Sequence, residues 1–106
     1  MDALLVLTNL PDDLSAQQLA QALVEQRVAA CVNILAPCRS VYRWQGKIED
    51  ATEVPLLIKT TVSRYAALEA AIRANHPYDV PEIIALRIDR GVPEYLAWIA
   101  AETAAD

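Results

Sequence analysis

Residues 40–61 read SVYRWQGKIEDATEVPLLIKTT, and this stretch decides the fold. Gly46 divides two runs rich in β-branched and aromatic residues, a pattern that predicts two strands joined in a hairpin. Counted back to Ala30, each arm has a dozen or more residues and spans roughly 40 Å at about 3.3 Å per residue. A domain of about 100 residues has a radius of gyration of only about 13 Å, so the arms should overhang their sheet. Overhanging strand ends expose unpaired backbone groups, so the stretch predicts an oligomer.

Outward from the hairpin, the sequence predicts the order strand, helix, strand, strand, helix, strand, with a helix appended. The expected strands cover residues 3–9, 29 to about 44, 48–60 and 82–89, and the expected helices cover 16–27, Tyr65 to just before Pro77, and Pro93 onward. This order is typical of an α+β, ferredoxin-like βαββαβ sandwich, here with a C-terminal helix and a long β-hairpin. The 106 residues are enough for a single domain over 1–106.

Local signals mark the ends of these elements. Ser15 with Gln18 matches a capping box for the first helix, and Ser63 is a candidate cap for the second. Pro37 predicts a bulge or an edge position, and Pro55 predicts a bulge or a boundary, because proline donates no ladder hydrogen bond. Pro93 suits the first position of the last helix.

The predicted first and fourth strands are apolar on both faces, whereas helices in this fold cover only one face. Subunits packing sheet against sheet would bury the open face. The open face and the overhanging hairpin thus predict a homo-oligomer independently of each other.

Composition and charge exclude several classes of protein. A net charge of −5 is the wrong sign for binding nucleic acid. The longest apolar run, Ala3–Leu7, is too short to cross a membrane, and with Asp2 before it makes a poor signal peptide, so we expect a cytoplasmic protein. In that reducing compartment Cys31 and Cys38 should be free thiols.

Five segments carry a resemblance to a known family: AACVNIL (29–35), SVYRWQGKIE (40–49), LLIKTT (56–61), HPYDVPEIIAL (76–86) and YLAWI (95–99). They resemble the CutA family of divalent-cation tolerance proteins. The resemblance implies a ferredoxin-like fold assembled as a homotrimer, similar to the PII signalling proteins, in which long hairpins embrace neighbouring subunits. It also implies an association with copper and other divalent cations, with no obligatory cofactor and no agreed enzymatic activity.

Metal ligation is one hypothesis for His76 and for Cys31. An imidazole suits Cu(II) or Zn(II), and a thiolate suits Cu(I). The alternative for His76 is a role at a helix end, where it can bond the last carbonyl groups. The alternative for Cys31 is packing as a small apolar side chain. In some CutA proteins copper is attributed to a cysteine and two adjacent histidines, and those positions fall here on Thr8, Asn75 and His76.

A second candidate site follows from the resemblance. In the family, residues of the types found here gather at clefts between subunits, where aromatic walls and a few polar groups suit a small ligand. These residues are Tyr42, Trp44, Lys59, Tyr78 and Glu82. The alternative is that Tyr42 and Trp44 anchor the subunit interface and that Lys59 pairs with Glu82.

Other polar residues are expected to serve solubility. Asp12 and Asp13 suit a solvated turn, and Glu49, Asp50 and Glu53 suit a hairpin edge protected from aggregation. The chain has one histidine, no glycine-rich phosphate loop and no paired-cysteine motif, so we expect no enzymatic activity.

Three functions remain open at this point: a cation-tolerance protein with metal sites, a PII-like signalling trimer that binds a small anionic ligand, and a structural trimer that scaffolds a partner protein. The family association favours the first.

Overall fold

The computed structural model describes residues 2–105. It is a mixed α+β structure with one antiparallel sheet and three α-helices. The elements are β1 (Ala3–Leu10), α1 (Asp13–Glu25), β2 (Cys31–Ile34), β3 (Cys38–Trp44), β4 (Lys47–Thr61), α2 (Tyr65–Asn75), β5 (Ile84–Arg87) and α3 (Pro93–Glu102), with a 3₁₀ turn at Val62–Arg64 before α2. The predicted order of elements is confirmed, but the predicted second strand is two strands, β2 and β3.

The sheet has the order β2-β4-β1-β5, so β4 and β1 lie at its centre. The C-terminal half of β4 pairs with β1 from Val54 to Thr61, and with β2 from Leu56 to Lys59. The N-terminal half of β4, residues 47–53, pairs only with β3. We call β3 and residues 47–53 together the ribbon.

The ribbon extends past the sheet, as the length of its strands predicts. The longest dimension of the molecule is 44 Å, whereas the other two are 25 and 23 Å. Gln45 and Gly46 form the turn with φ values of +50° and +79°, both in the left-handed region that two-residue hairpin turns require. Most ribbon side chains are exposed, including Val41 and Ile48.

The main core lies between one sheet face and helices α1 and α2. Val6, Leu56 and Ile58 from the sheet pack against Leu19 and Leu23 of α1, and all of them are at most 2% exposed. Leu68 and Ile72 of α2 complete this core. Both helices therefore bury one apolar face against the sheet.

The other sheet face is only partly covered. Helix α3 packs Ile99 against Ala3 and Ala30 at one end of this face. Beyond that end the face is apolar and half-buried or exposed, and its members are Leu5, Leu7, Leu57, Ile84 and Leu86, with Lys59 among them. We call this surface the open face. Because β1 is apolar on both sides, the single chain leaves one apolar face of the sheet largely uncovered, as the sequence predicts.

Two expected helix caps are wrong. Asp12, not Ser15, is the N-cap of α1, and its Oδ1 accepts a hydrogen bond from the Ser15 backbone N–H at 2.8 Å. This bond lowers the pKa of the Asp12 carboxyl. The second helix starts from the 3₁₀ turn without a side-chain cap, and Ser63 lies within that turn, its hydroxyl 3.2 Å from that of Thr61.

The two prolines differ from each other. At Pro37 the predicted bulge or edge position is a full break, since residues 35–37 separate β2 from β3. In contrast, β4 runs through Pro55 without interruption. Pro55 lies where the partner of β4 changes from β3 to β2, and its carbonyl accepts from the Leu35 N–H at 3.0 Å. Pro55 therefore marks the point where β4 changes partner, while the strand itself continues.

No helix within residues 2–105 is long and apolar enough to span a membrane.

Replacing Leu68 by alanine tests the core between α2 and the sheet. Leu68 is 0% exposed. We expect Leu68→Ala to lower the free energy of unfolding by about 2–5 kcal/mol, because it removes buried methyl groups and leaves a cavity. Guanidinium unfolding at a fixed protein concentration measures the change.

Leu14→Ala is the matched control, since it is the same substitution in a helix at a side chain that is 65% exposed. It should change the free energy by no more than about 0.5 kcal/mol. Equal losses for the two variants would contradict the assignment of the core.

Candidate functional site

A groove of about 680 Å³ lies between the ribbon and the loop that follows α2. Its lining consists of Asn9, Ser40, Val41, Tyr42, Trp44, Glu53, Tyr78, Asp79, Val80 and Glu82. The structure thus brings together four of the five predicted cleft residues, Tyr42, Trp44, Tyr78 and Glu82. Lys59 does not line the groove.

Strand alternation places the ribbon residues of the groove. Ser40, Tyr42 and Trp44 are two residues apart, so their side chains share one face of β3. Cys38 lies directly opposite Glu53, which puts the Glu53 side chain on the same face. The ribbon therefore supplies two aromatic rings and one carboxylate to a single wall.

The loop after α2 supplies the facing wall. Helix α2 ends at Asn75, and His76 already has extended backbone angles. The segment from Tyr78 to Glu82 then passes over the base of the ribbon and contributes Tyr78, Asp79, Val80 and Glu82. The Glu82 carboxylate accepts a hydrogen bond from the Asn9 side chain at 3.3 Å, which ties this loop to the end of β1.

Glu53 is buried in the wall of the groove, with 9% of its surface exposed. Its Oε2 accepts a hydrogen bond from the Tyr78 hydroxyl at 3.2 Å. The expectation that Glu53 protects a hairpin edge is therefore wrong, because the loop after α2 covers it. Desolvation, and next the charge of Glu53, raise the pKa of Tyr78 to about 12. The phenol stays protonated and donates at all physiological pH values.

Lys59 lies on the open face, away from Glu82. Its ammonium group contacts the Asn33 side-chain oxygen and lies 3.9 Å from the Cys31 sulfur. No ion pair in residues 2–105 joins Lys59 to Glu82. The Lys59–Glu82 ion pair offered as an alternative therefore does not form within one chain in residues 2–105.

Both ring nitrogens of His76 are engaged, and the residue is 9% exposed. Nδ1 accepts a hydrogen bond from the Tyr78 backbone N–H at 3.2 Å, so the ring proton lies on Nε2. Nε2 then donates to the carbonyl oxygen of Asn9 at 2.7 Å. The ring also packs against Tyr78, with centroids 4.8 Å apart. His76 thus joins the end of α2 to the end of β1 and fixes the start of the groove loop.

The two predicted metal ligands lie in different places. Cys31 is opposite Lys59, which is opposite Leu5, whereas His76 contacts Asn9. Leu5 and Asn9 are four positions apart on β1, which corresponds to roughly 13 Å. One chain does not bring Cys31 and His76 to a common metal ion.

The residues at the positions implied for copper do not fit a copper centre. Thr8 is 1% exposed and its hydroxyl has no hydrogen-bond partner, and a neutral hydroxyl is a poor copper ligand. The Asn75 side chain donates to the carbonyl oxygen of Ala71 at 2.8 Å. Across residues 2–105, no three His, Cys, Asp or Glu side chains are grouped closely enough to hold a metal ion.

Both cysteines are free and half-buried. The Cys31 sulfur faces Lys59, and the Cys38 sulfur lies 3.9 Å from the Ser40 hydroxyl. Cys31 pairs with Lys59 and Cys38 with Glu53, six residues apart on β4, so a bridge between them would not fit.

Sequence reasoning missed six residues of the groove lining: Asn9, Ser40, Val41, Glu53, Asp79 and Val80. Strand alternation predicts on which face of the ribbon Glu53 lies. No local pattern shows that Tyr78, 25 residues later, will cover it. Asp79 lies in the same HPYDVPEIIAL segment as Tyr78 and Glu82, so its place in the groove could have been predicted from its neighbours.

Comparison with known proteins gives consistent matches. The model of the family described as CutA1 divalent ion tolerance protein matches residues 4–102. The divalent-cation tolerance protein CutA of Pectobacterium atrosepticum is 45% identical over 100 residues, which are 94% of this chain and 91% of that protein. The one from Thermus thermophilus is 47% identical over 98 residues, covering 92% of this chain and 95% of that protein. The crystal structure of CutA1 from Oryza sativa superposes with a TM-score of 0.96 at 39% identity, covering 100% of this chain and 97% of that chain.

The raised pKa of Tyr78 predicts a late phenol ionisation. Between pH 10 and about 12 the unfolded chain loses this proton while the folded chain keeps it, so the stabilisation is complete below pH 10 and is lost as the pH rises toward 12. Absorbance of phenolate after a rapid pH jump, read before unfolding, measures the ionisation in the folded state. The difference between wild type and Tyr78→Phe isolates Tyr78.

We expect this difference curve to have its midpoint near pH 12. Glu53→Gln should move the midpoint downward and still leave it above that of a free tyrosine, since desolvation is the largest cause of the shift. A midpoint at the ordinary value of tyrosine in the wild type would contradict the buried contact between Tyr78 and Glu53.

Proposed function

The chain belongs to the CutA1 divalent ion tolerance family, and on that premise we propose that it supports cellular tolerance of divalent cations as a cytoplasmic homotrimer without enzymatic activity. The observation that carries the tolerance role is the family match over residues 4–102, nearly the whole chain. Relatives at 45% and 47% identity bear the name divalent-cation tolerance protein CutA, and they support the same role.

The open face supports the proposed assembly. Ile84 and Leu86 are 49% and 54% exposed in a single chain, and they lie beside the half-buried Leu5, Leu7 and Leu57. A contiguous apolar surface of this kind is costly to leave in water and marks a site of association. A ferredoxin-like subunit that packs this face against its neighbours would bury it.

The ribbon supports the same assembly. Residues 47–53 have a strand partner on one edge only, and Ile48 is 70% exposed on the ribbon face opposite to Tyr42 and Trp44. Unpaired strand edges invite pairing, and exposed apolar side chains beside them favour association. In the proposed trimer the ribbon of each subunit lies along a neighbour.

Cation binding in this proposal is weak and uses surface carboxylates, with copper and other divalent cations as cargo. A chain with net charge −5 gives three subunits a charge of −15, which concentrates cations near the surface. The engaged nitrogens of His76 and the lack of three grouped ligand side chains in residues 2–105 do not favour a tight copper centre. The groove lining contains no Lys or Arg, which does not favour the PII-like alternative of an anionic ligand.

Growth under metal stress tests the tolerance role. Deleting the gene from its host should increase sensitivity to added Cu(II) or another divalent cation, and the wild-type gene should restore growth. A fully folded His76→Gln variant should restore growth as well, because the proposal does not use the imidazole as a ligand. Unchanged sensitivity of the deletion strain to every divalent cation tried would contradict the tolerance role.

Calorimetry with Cu(II) and with Cu(I) tests the binding mode separately. Wild type, His76→Gln and Cys31→Ser, all purified without an affinity tag, should give weak Cu(II) isotherms that are indistinguishable from one another. Tight Cu(II) binding that His76→Gln abolishes would restore His76 as a ligand and overturn the surface-carboxylate proposal.

A further inference from the structure

The lining of the groove combines aromatic side chains with carboxylates, and this combination differs from a general acidic surface. Tyr42, Trp44 and Tyr78 are 44%, 47% and 37% exposed, so parts of three rings face a ligand that enters. Aromatic faces attract cationic groups and also pack well against methylene chains. The groove volume of about 680 Å³ is in the range of small-molecule sites, about 300–1,000 Å³.

The charge of the groove is not balanced within the chain. Glu53, Asp79 and Glu82 line it, and none of them belongs to an ion pair within residues 2–105. Glu53 is the most telling of the three, because it is more than nine-tenths buried and its hydrogen bond comes from a neutral phenol. A buried carboxylate without a cation costs free energy, and a cationic group that binds beside it recovers that cost.

The donors and acceptors of the lining also define the ligand. Besides the three carboxylates, the polar lining residues are Asn9, Ser40, Tyr42, Trp44 and Tyr78, and none of these is cationic. An anionic ligand would find no compensating charge there. A compact hydrated metal ion would use the carboxylates and leave the aromatic walls unused.

We propose that this groove binds a linear aliphatic polyamine, whose ammonium groups meet Glu53, Asp79 and Glu82 while its methylene segments lie on Tyr42, Trp44 and Tyr78. This ligand class goes beyond the proposed role in divalent-cation tolerance and does not depend on it. The Tyr78 hydroxyl fixes the Glu53 carboxylate at the wall, so the acceptor is already oriented when the ammonium group arrives. The aromatic residues distinguish an organic cation from a metal ion of equal charge.

Calorimetry with spermidine on the full-length assembled protein at physiological salt tests the proposal. Hexaamminecobalt(III) has the same charge as spermidine and no methylene chain, so it is the matched probe. We expect spermidine to bind at least about tenfold more tightly, since only spermidine uses the aromatic walls. Equal affinities would show attraction by charge alone and would overturn the proposal.

Three variants locate the site. Glu53→Gln keeps an acceptor for the Tyr78 hydroxyl but removes the charge, and it should weaken spermidine binding by about tenfold or more. Asp79→Asn should weaken binding too, and because Asp79 lies in an exposed loop this variant does not threaten folding. Glu102→Gln makes the same change of charge on an exposed residue outside the groove and should leave binding unchanged.

The remaining outcomes separate this proposal from the tolerance role. Absence of spermidine binding to the wild type would mean that a neighbouring subunit fills the groove, and it would overturn the polyamine site without affecting growth under metal stress. Equal weakening by Glu102→Gln and Glu53→Gln would likewise overturn the site, because it would indicate general surface charge.

Discussion

The pairing of β4 is the constraint on which the rest of the structure depends. This strand has 15 residues, more than its neighbours β1 and β2 can match. Its C-terminal half lies between β1 and β2 at the centre of the sheet, and its N-terminal half has only β3. One strand therefore creates the core, the ribbon and the groove wall, with the change of partner at Pro55.

Much of the fold could be predicted because its signals are local. The apolar run of β1, the turn at Gly46 and the helical spacing of Leu68 and Ile72 all lie within short windows of sequence. The caps could not be assigned as well, because Asp12 and Ser15 both suit an N-cap. The extended backbone of Asp12, with φ −153° and ψ 169°, decides between them, and composition does not reveal it.

The site was predictable in part, because the family resemblance implies Tyr42, Trp44, Tyr78 and Glu82 as cleft residues. Strand alternation adds only that Tyr42 and Trp44 share one face of β3. Glu53 depends on a contact with Tyr78, 25 residues further along, which no local pattern contains. Lys59 was placed with the cleft by residue type, but its register opposite Leu5 and Cys31 puts it on the open face. The imidazole of His76 holds two chain ends together instead of facing a ligand.

The groove follows from a strand that is too long for its own sheet, and the open face follows from helices that cover one side of the sheet and only one end of the other. Burial of the open face is the central claim. Sedimentation velocity of the wild type over a wide range of concentrations tests it most directly. The account predicts a particle with three times the 11.6 kDa mass of one chain, and a smaller particle with unchanged circular dichroism for Leu57→Lys on the open face. A wild-type mass of one chain at every concentration would contradict it.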